Sequence, residues 1–210
     1  MAEKQTITMA IQAGGRSSRM GQDKGLVPLA GRPMIEHVLA RVAGLGDEIL
    51  ITTNNPAGYA YLGVRLVSDA APGAGALPGL HTALTAARGD VVVVLACDMP
   101  FANRGLLAYM LTLAPAADVI VPIWQDNYQP MQAVYARERA LAAVAVALAR
   151  GQKRMISFYD QVRVRAVMAA EIMPFDADGL TFFNVNTPAE LAQAEASLAA
   201  IKSAPHSSNK

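Results

Sequence analysis

Short apolar, β-branched runs alternate along this chain with longer segments whose apolar residues recur at helical spacing. The strand-like runs are Thr6–Ile11, Glu48–Thr53, Val64–Val67, Val91–Ala96, Val119–Pro122, Met131–Tyr135, Val162–Val167 and Thr181–Phe183. The helical pattern covers Met34–Ala43, Gly79–Ala87, Arg104–Leu113, Arg137–Arg150 and Ala189–Ile201. This alternation predicts an α/β protein with a mostly parallel sheet. Val91-Val92-Val93-Val94-Leu95 is apolar at every position, as a central strand buried on both faces requires. Thr187-Pro188 predicts a helix start, with Thr187 as N-cap and Pro188 at the first helical position. There is no internal repeat and no linker-like composition, so residues 1–202 read as one domain. The polar stretch 203–210 reads as a disordered tail.

Composition narrows the function classes. With 53% hydrophobic and 17% charged residues over 210 positions, the chain has ample material for a packed core. A net charge of +1 gives no electrostatic case for a nucleic-acid or membrane-surface partner. One cysteine, Cys97, excludes an intramolecular disulfide and fits a reducing compartment. The first six residues, Met1 to Thr6, lack the apolar core of a signal peptide, and no apolar run is long enough to span a bilayer. The expectation is a soluble cytoplasmic protein.

The first strand runs into Ala13-Gly14-Gly15-Arg16-Ser17-Ser18-Arg19-Met20-Gly21-Gln22-Asp23-Lys24, and an amphipathic helix opens after Pro33. Adjacent glycines let backbone N–H groups turn toward an anion, while Arg19 and Lys24 add fixed positive charge. The loop suits a triphosphate, yet it has neither the P-loop spacing nor the dinucleotide fingerprint. In an open α/β sheet, ligands gather outside the carboxyl ends of the strands. The glycine loop, Thr52 to Asn55 and Asp98 all follow predicted strands, so they belong to one site. Asp98 is the metal candidate, because Mg²⁺ takes a few carboxylates together with phosphate oxygens and water. Its alternative role is to cap the helix starting near Asn103. Asp23 either orients Lys24 or sits in solvent, and Asp69 can form an Asx-turn at the start of its loop. Gln12, Thr52, Asn54 and Asp69 stand at strand ends, where they can offer hydrogen-bonding groups to a nucleotide base. Cys97 has no evident base partner and reads as a packing residue. His37, His81 and His206 lack ligand spacing.

Several segments together resemble the molybdenum cofactor guanylyltransferases. The loop is similar to that family's AGGxxxRMGxDK signature. Leu26-Val27-Pro28-Leu29-Ala30-Gly31-Arg32-Pro33-Met34 is similar to its LLPLxGRPL continuation, and Cys97-Asp98-Met99-Pro100-Phe101 to its CDxPF metal motif. The runs Ile156 to Arg165 and Phe183-Asn184-Val185-Asn186-Thr187-Pro188 match it as well. The resemblance implies a three-layer α/β/α, Rossmann-like nucleotidyltransferase fold of the glycosyltransferase-A type. Residues 1–115 would form a nucleotide-binding half and 116–202 an acceptor-binding half. It implies transfer of GMP from GTP to the terminal phosphate of molybdenum-loaded molybdopterin, with Mg²⁺ as cofactor and pyrophosphate as product. Arg19, Lys24 and Asp98 would be catalytic, with Asp98 on the metal. Gln12, Ala13, Gly14, Gly15, Lys24, Thr52, Asn54, Asp69, Gly79 and Asp98 would hold the nucleotide. Arg154, Asn184 and Asn186 would hold the acceptor, and Lys153 belongs to the same basic element. Transient contact with molybdoenzyme maturation proteins is a further expectation. Two departures stand out: the family usually has leucine at the position of Gln12, and Ala76-Leu77-Pro78-Gly79 moves the proline of its PGxGPLAG loop. These keep open a related transferase using CTP or another phosphorylated acceptor. A nucleotide-binding protein without catalysis is the alternative of a different class.

Overall fold

The computed structural model describes residues 5–13, 23–68 and 75–203. Its elements, in chain order, are β1 (Ile7–Ala13), β2 (Pro28–Leu29), β3 (Arg32–Pro33), α1 (Met34–Val42), β4 (Glu48–Thr53), α2 (Pro56–Tyr59), β5 (Arg65–Ser68) and α3 (Ala76–Ala86). They continue with β6 (Val91–Ala96), α4 (Arg104–Leu113), β7 (Val119–Trp124), β8 (Asn127–Tyr128), β9 (Gln132–Ala136), α5 (Arg137–Ala149), β10 (Val164–Val167), α6 (Ala169–Ile172) and α7 (Pro188–Ser203).

The main sheet runs β10-β7-β9-β6-β1-β4-β5, with β8 hairpinned onto β7. β1 pairs in parallel with both β4 and β6, β4 with β5, and β7 with β10, whereas β9 runs antiparallel between β6 and β7. Six strands therefore point their carboxyl ends to one edge. The sheet is covered on both faces because alternate residues of one strand enter different cores. Val91, Val93 and Leu95 of β6 join Met9, Ile11, Ile35 and Leu107 on the side of α1 and α4. Val92 and Val94 join Ala10, Leu80, Val144 and Phe158 on the side of α3 and α5. The expected α/β/α layering with a mostly parallel sheet is what forms.

Three local departures have physical causes. The run Thr181–Phe183 is not a strand. Its β-like composition belongs to a short 3₁₀ turn, Leu180–Phe182, entered through Gly179 in the left-handed region (φ +68°). A Cβ at Gly179 would lie 2.2 Å from Trp124, and the Thr181 hydroxyl accepts from Gln132 Nε2 at 2.7 Å, so packing rather than pairing satisfies this segment. The predicted strand Val162–Val167 loses its first two residues because Arg163 serves another purpose. Its backbone N–H and guanidinium donate to the buried carboxylate of Asp118, which also takes Arg139 at 2.6 Å. Finally, α7 reaches Ser203, one residue into the stretch expected to be a polar tail; residues 204–210 lie outside those described.

Candidate active site

At the carboxyl edge, three residues far apart in sequence meet. Lys24 Nζ lies 3.2 Å from Asp98 Oδ2 and donates to Asn186 Oδ1. Asp98 follows the wholly buried β6 and is itself mostly buried, with a side chain 14% exposed. It does not cap α4. Asn103 does, accepting from Leu106 N at 3.0 Å, so Asp98 is left for the site.

Each corner is braced. Asp23 caps the short 3₁₀ turn Lys24–Leu26 by accepting from Gly25 N at 3.2 Å, and it also accepts from the hydroxyl of Tyr59. Tyr59 is completely buried, and burial followed by the Asp23 carboxylate pushes its phenol well above the ordinary range, so it remains a donor. Asn186 is fixed by its successors. Glu190 accepts from Asn186 N at 2.7 Å and from the Thr187 hydroxyl at 3.1 Å, while Thr187 accepts from Glu190 N at 3.2 Å. This reciprocal capping box is the physical content of the Thr187-Pro188 helix start. Between the corners, Val185 N donates to the backbone carbonyl of Asp98 at 2.9 Å.

On the other side of β6, Gln12 sits in register between Thr52 of β4 and Ala96 of β6, and its carbonyl accepts from Cys97 N at 3.0 Å. Gln12 Nε2 is buried and finds no hydrogen-bond partner among the described residues. Gly79, expected to meet the nucleotide, is buried in the first turns of α3 and lies against Gln12. A Cβ there would come within 3.0 Å of Gln12 Oε1. Gly79 therefore acts on the Gln12 amide by making room for it. Ala13 ends β1 next to these groups; Thr52 is buried and Asn54 is exposed just beyond β4.

In the acceptor half, Asn184 donates to Phe182 O at 3.1 Å and makes no bond to the Lys24–Asp98–Asn186 group. Arg154 is exposed, in a segment joined to the start of α3 by a 3.3 Å bond from Leu77 N to Lys153 O. Gly14, Gly15, Arg19 and Asp69 lie outside the described residues. Cys97 is a packing residue: it is buried, and burial followed by the neighbouring Asp98 charge pushes its thiol well above the ordinary range, which disfavours a thiolate nucleophile.

Asp98 Oδ1 is buried without a hydrogen-bond partner among the described residues. An orphaned carboxylate oxygen in so enclosed a position is costly unless a cation or donor completes it. Among the described residues no three His, Cys, Asp or Glu side chains come together as a ligand group. A lone carboxylate beside an amide oxygen fits Mg²⁺, which fills its remaining positions with substrate phosphate and water, and does not fit a soft-ligand metal.

A mostly parallel sheet with a lysine, a carboxylate lacking one hydrogen-bond partner and an asparagine gathered at its carboxyl edge defines a nucleotidyltransferase. Comparison with known proteins gives the particular family. The chain belongs to the family described as the MobA-like NTP transferase domain, whose model matches residues 9–164. It is 36% identical over 187 residues to the "Probable molybdenum cofactor guanylyltransferase" of Pelotomaculum thermopropionicum, covering 89% of this chain and 91% of that one. It is 34% identical over 186 residues to the molybdenum cofactor guanylyltransferase of Vibrio cholerae, covering 87% and 88% respectively. The crystal structure of molybdopterin-guanine dinucleotide biosynthesis protein A from Archaeoglobus fulgidus superposes with a TM-score of 0.79 at 26% identity, over 92% of this chain and 99% of that one. The Lys24 and Asp98 corners fall within the residues 9–164 that the family model matches, and Asn186 lies beyond them.

Proposed function

We propose that this enzyme transfers GMP from GTP to the terminal phosphate of molybdenum-loaded molybdopterin, releasing pyrophosphate and forming the guanine dinucleotide cofactor. The observation that carries this reading is the Lys24–Asp98–Asn186 group with its unpaired Asp98 oxygen. The names of its relatives select this reaction among nucleotidyl transfers.

In this reading Gln12, Ala13, Thr52, Asn54 and Asp69 line the guanosine side, with Gly79 holding Gln12 in place. The backbone of Gly14 and Gly15 and the side chains of Arg19 and Lys24 receive the triphosphate. Lys24 turns its ammonium from Asp98 and Asn186 toward the outer phosphates, neutralising the departing pyrophosphate. Asp98, with Asn186 beside it, holds Mg²⁺, which when bound supplies the charge that makes the α-phosphorus electrophilic. Arg154, Asn184 and Asn186 orient the acceptor. A phosphate monoester has a second pKa of about 6 and is largely ionised near neutrality, so no histidine base is needed. Catalysis is then positioning and charge neutralisation.

The pterin substrate and the lack of any helix among the described residues long and apolar enough to cross a membrane suit a cytoplasmic enzyme. It would hand its product to molybdoenzyme maturation proteins by transient contact. The unpartnered Gln12 amide favours one second reading, the same transfer from CTP, because a donor there also satisfies a cytosine acceptor. Pyrophosphate release, measured with each nucleoside triphosphate and the metal-loaded acceptor, tests both. Turnover with GTP well above CTP is expected, and the reverse would replace guanylyl by cytidylyl transfer.

A further inference from the structure

An exposed aromatic ring stands at the same edge with no role in the chemistry above. β7 and β8 form a tight hairpin whose two connecting residues, Gln125 (φ +48°) and Asp126 (φ +61°), both adopt the left-handed conformation without being glycine. Such a turn fits the twist of a two-residue hairpin but is normally built from Gly, Asn or Asp. Backbone held this way persists when its surroundings over-determine it, and it concentrates at functional sites.

The hairpin is held from both faces. On one side Trp124 packs against Phe182 with ring centroids 5.9 Å apart, and Gly179 leaves it room. On the other, Tyr128 meets Tyr159 edge-on at 5.4 Å, Tyr159 meets Phe158 at 5.1 Å, and Phe158 meets Tyr135 at 6.5 Å. Phe158 and Tyr135 are completely buried, so this series of rings runs from the core outward and ends on Tyr128, which is 40% exposed. A lone exposed tyrosine on a mobile side chain would need no explanation. This one is anchored through three further rings.

Its position points to the ligand. Tyr128 lies opposite Ile123 at the end of β7, and β7 is separated from β6 by β9 alone. At about 4.8 Å per strand, the hairpin stands roughly 10 Å along the edge from the strand that delivers Asp98. It stands on the side away from β1 and Gln12. The two segments that it touches carry the remaining acceptor-side groups: Phe182 leads into Asn184 and Asn186, and Tyr159 follows Arg154. With the reacting phosphate at Asp98 and the donor base toward β1, the acceptor's flat, fused ring must extend in the direction of Tyr128.

We propose that Tyr128 is the platform on which the pterin ring system of the acceptor stacks, an assignment that rests on the acceptor named above. Stacking of a planar heterocycle on an aromatic side chain reads only the ring face and needs no hydrogen-bond partner on the ligand.

Tyr128→Ala and Tyr128→Phe test this in the full chain, with Tm confirming that both fold. For Tyr128→Ala the KM for the metal-loaded acceptor should rise about tenfold, the scale of one lost stack. kcat and the KM for GTP should stay as they were. Equilibrium dialysis of the acceptor without nucleotide should show the same loss, and Tyr128→Phe should restore both values. An unchanged acceptor KM in Tyr128→Ala overturns the proposal, as does an equal rise in the KM for GTP, which would put the ring on the donor. If the wild-type protein transfers CMP in place of GMP with the same dependence on Tyr128, the stacking role stands and the guanylyl reading falls. Absence of transfer to this acceptor from every nucleotide removes both.

Discussion

The hydroxyl of Tyr59 donates to the carboxylate of Asp23, the residue immediately before Lys24. Through that bond a fully buried ring in α2 sets the base from which Lys24 projects. The contact is close enough to constrain the next residue too, since a Cβ on Gly25 would lie 2.5 Å from the Tyr59 hydroxyl. Tyr59→Phe keeps the ring and removes the donor, leaving Asp23 with its bond to Gly25 N. A lost hydrogen bond to a charged group costs about 1.5–3 kcal/mol, and each kilocalorie lowers Tm by roughly 2–4 °C in a chain of this size. GTP affinity should fall with it, because Lys24 is no longer held in register. A variant melting and binding GTP like wild type would show that the brace is dispensable.

Lys24→Ala should weaken GTP by about 1.5–3 kcal/mol more than it weakens GMP, which lacks the outer phosphates. That corresponds to roughly a 10- to 150-fold difference in Kd, readable by calorimetry. Freed of its ammonium partner at 3.2 Å, Asp98 should also take Mn²⁺ more readily in the absence of nucleotide, visible by electron paramagnetic resonance. Equal losses for both nucleotides would remove Lys24 from the outer phosphates.

Asp98→Asn separates charge from shape. Asn103 caps α4, so the fold does not depend on the Asp98 carboxylate, and the backbone bond from Val185 survives the change. The protein should fold and still bind nucleotide, but transfer should slow by orders of magnitude and lose its steep Mg²⁺ dependence. Near-normal turnover with unchanged Mg²⁺ response would refute the metal role.

Acid sensitivity should arise far from the site, where α6 is tied to β10. Arg165 beside Glu171 holds its carboxyl down at about 2 against a usual 4.5; the Tyr109 hydroxyl at 2.6 Å and Met168 N at 3.1 Å assist. A depressed folded-state pKa contributes stability that is fully present above about 4.5. It is lost progressively as pH falls toward 2, because the unfolded chain takes up its proton first. Asp118, held well below the usual range by Arg163, adds a slope of the same sign. Urea unfolding between pH 7 and 3 should show stability declining below about pH 4.5, and Glu171→Gln should flatten that decline. An unaltered slope in the variant would place the acid response elsewhere.

Asp98 is legible as a candidate site residue because an unbroken apolar strand leads toward it, and the structure leaves the capping of α4 to Asn103. Lys24 was legible through its glycine-rich context. Asn186 was reached by resemblance alone, since no local pattern connects it with a lysine 162 residues earlier. Tyr59 is not legible in the sequence because its segment carries no motif, and its partner Asp23 has two equally ordinary roles. The antiparallel course of β9 was hidden for a different reason: apolar alternation specifies which face a residue occupies, not the direction in which the strand runs. Thr181–Phe183 was misread because β-branched and aromatic residues suit any half-buried surface, including a turn packed on Trp124.

The long separation of Lys24 from Asn186 also bears on the protein's birth. Domains begin to fold from the N-terminus as they leave the ribosome. β1, β4 and β6 can pair before Asn186 has been made, so the partner that completes the lysine's surroundings, and the α7 turn that steadies it, emerge after the central strands. A product that stopped before Asn186 would carry Lys24 and Asp98 without the asparagine that the lysine meets. The Lys24–Asp98–Asn186 group is thus completed only after the strand that leads into Asp98 has formed.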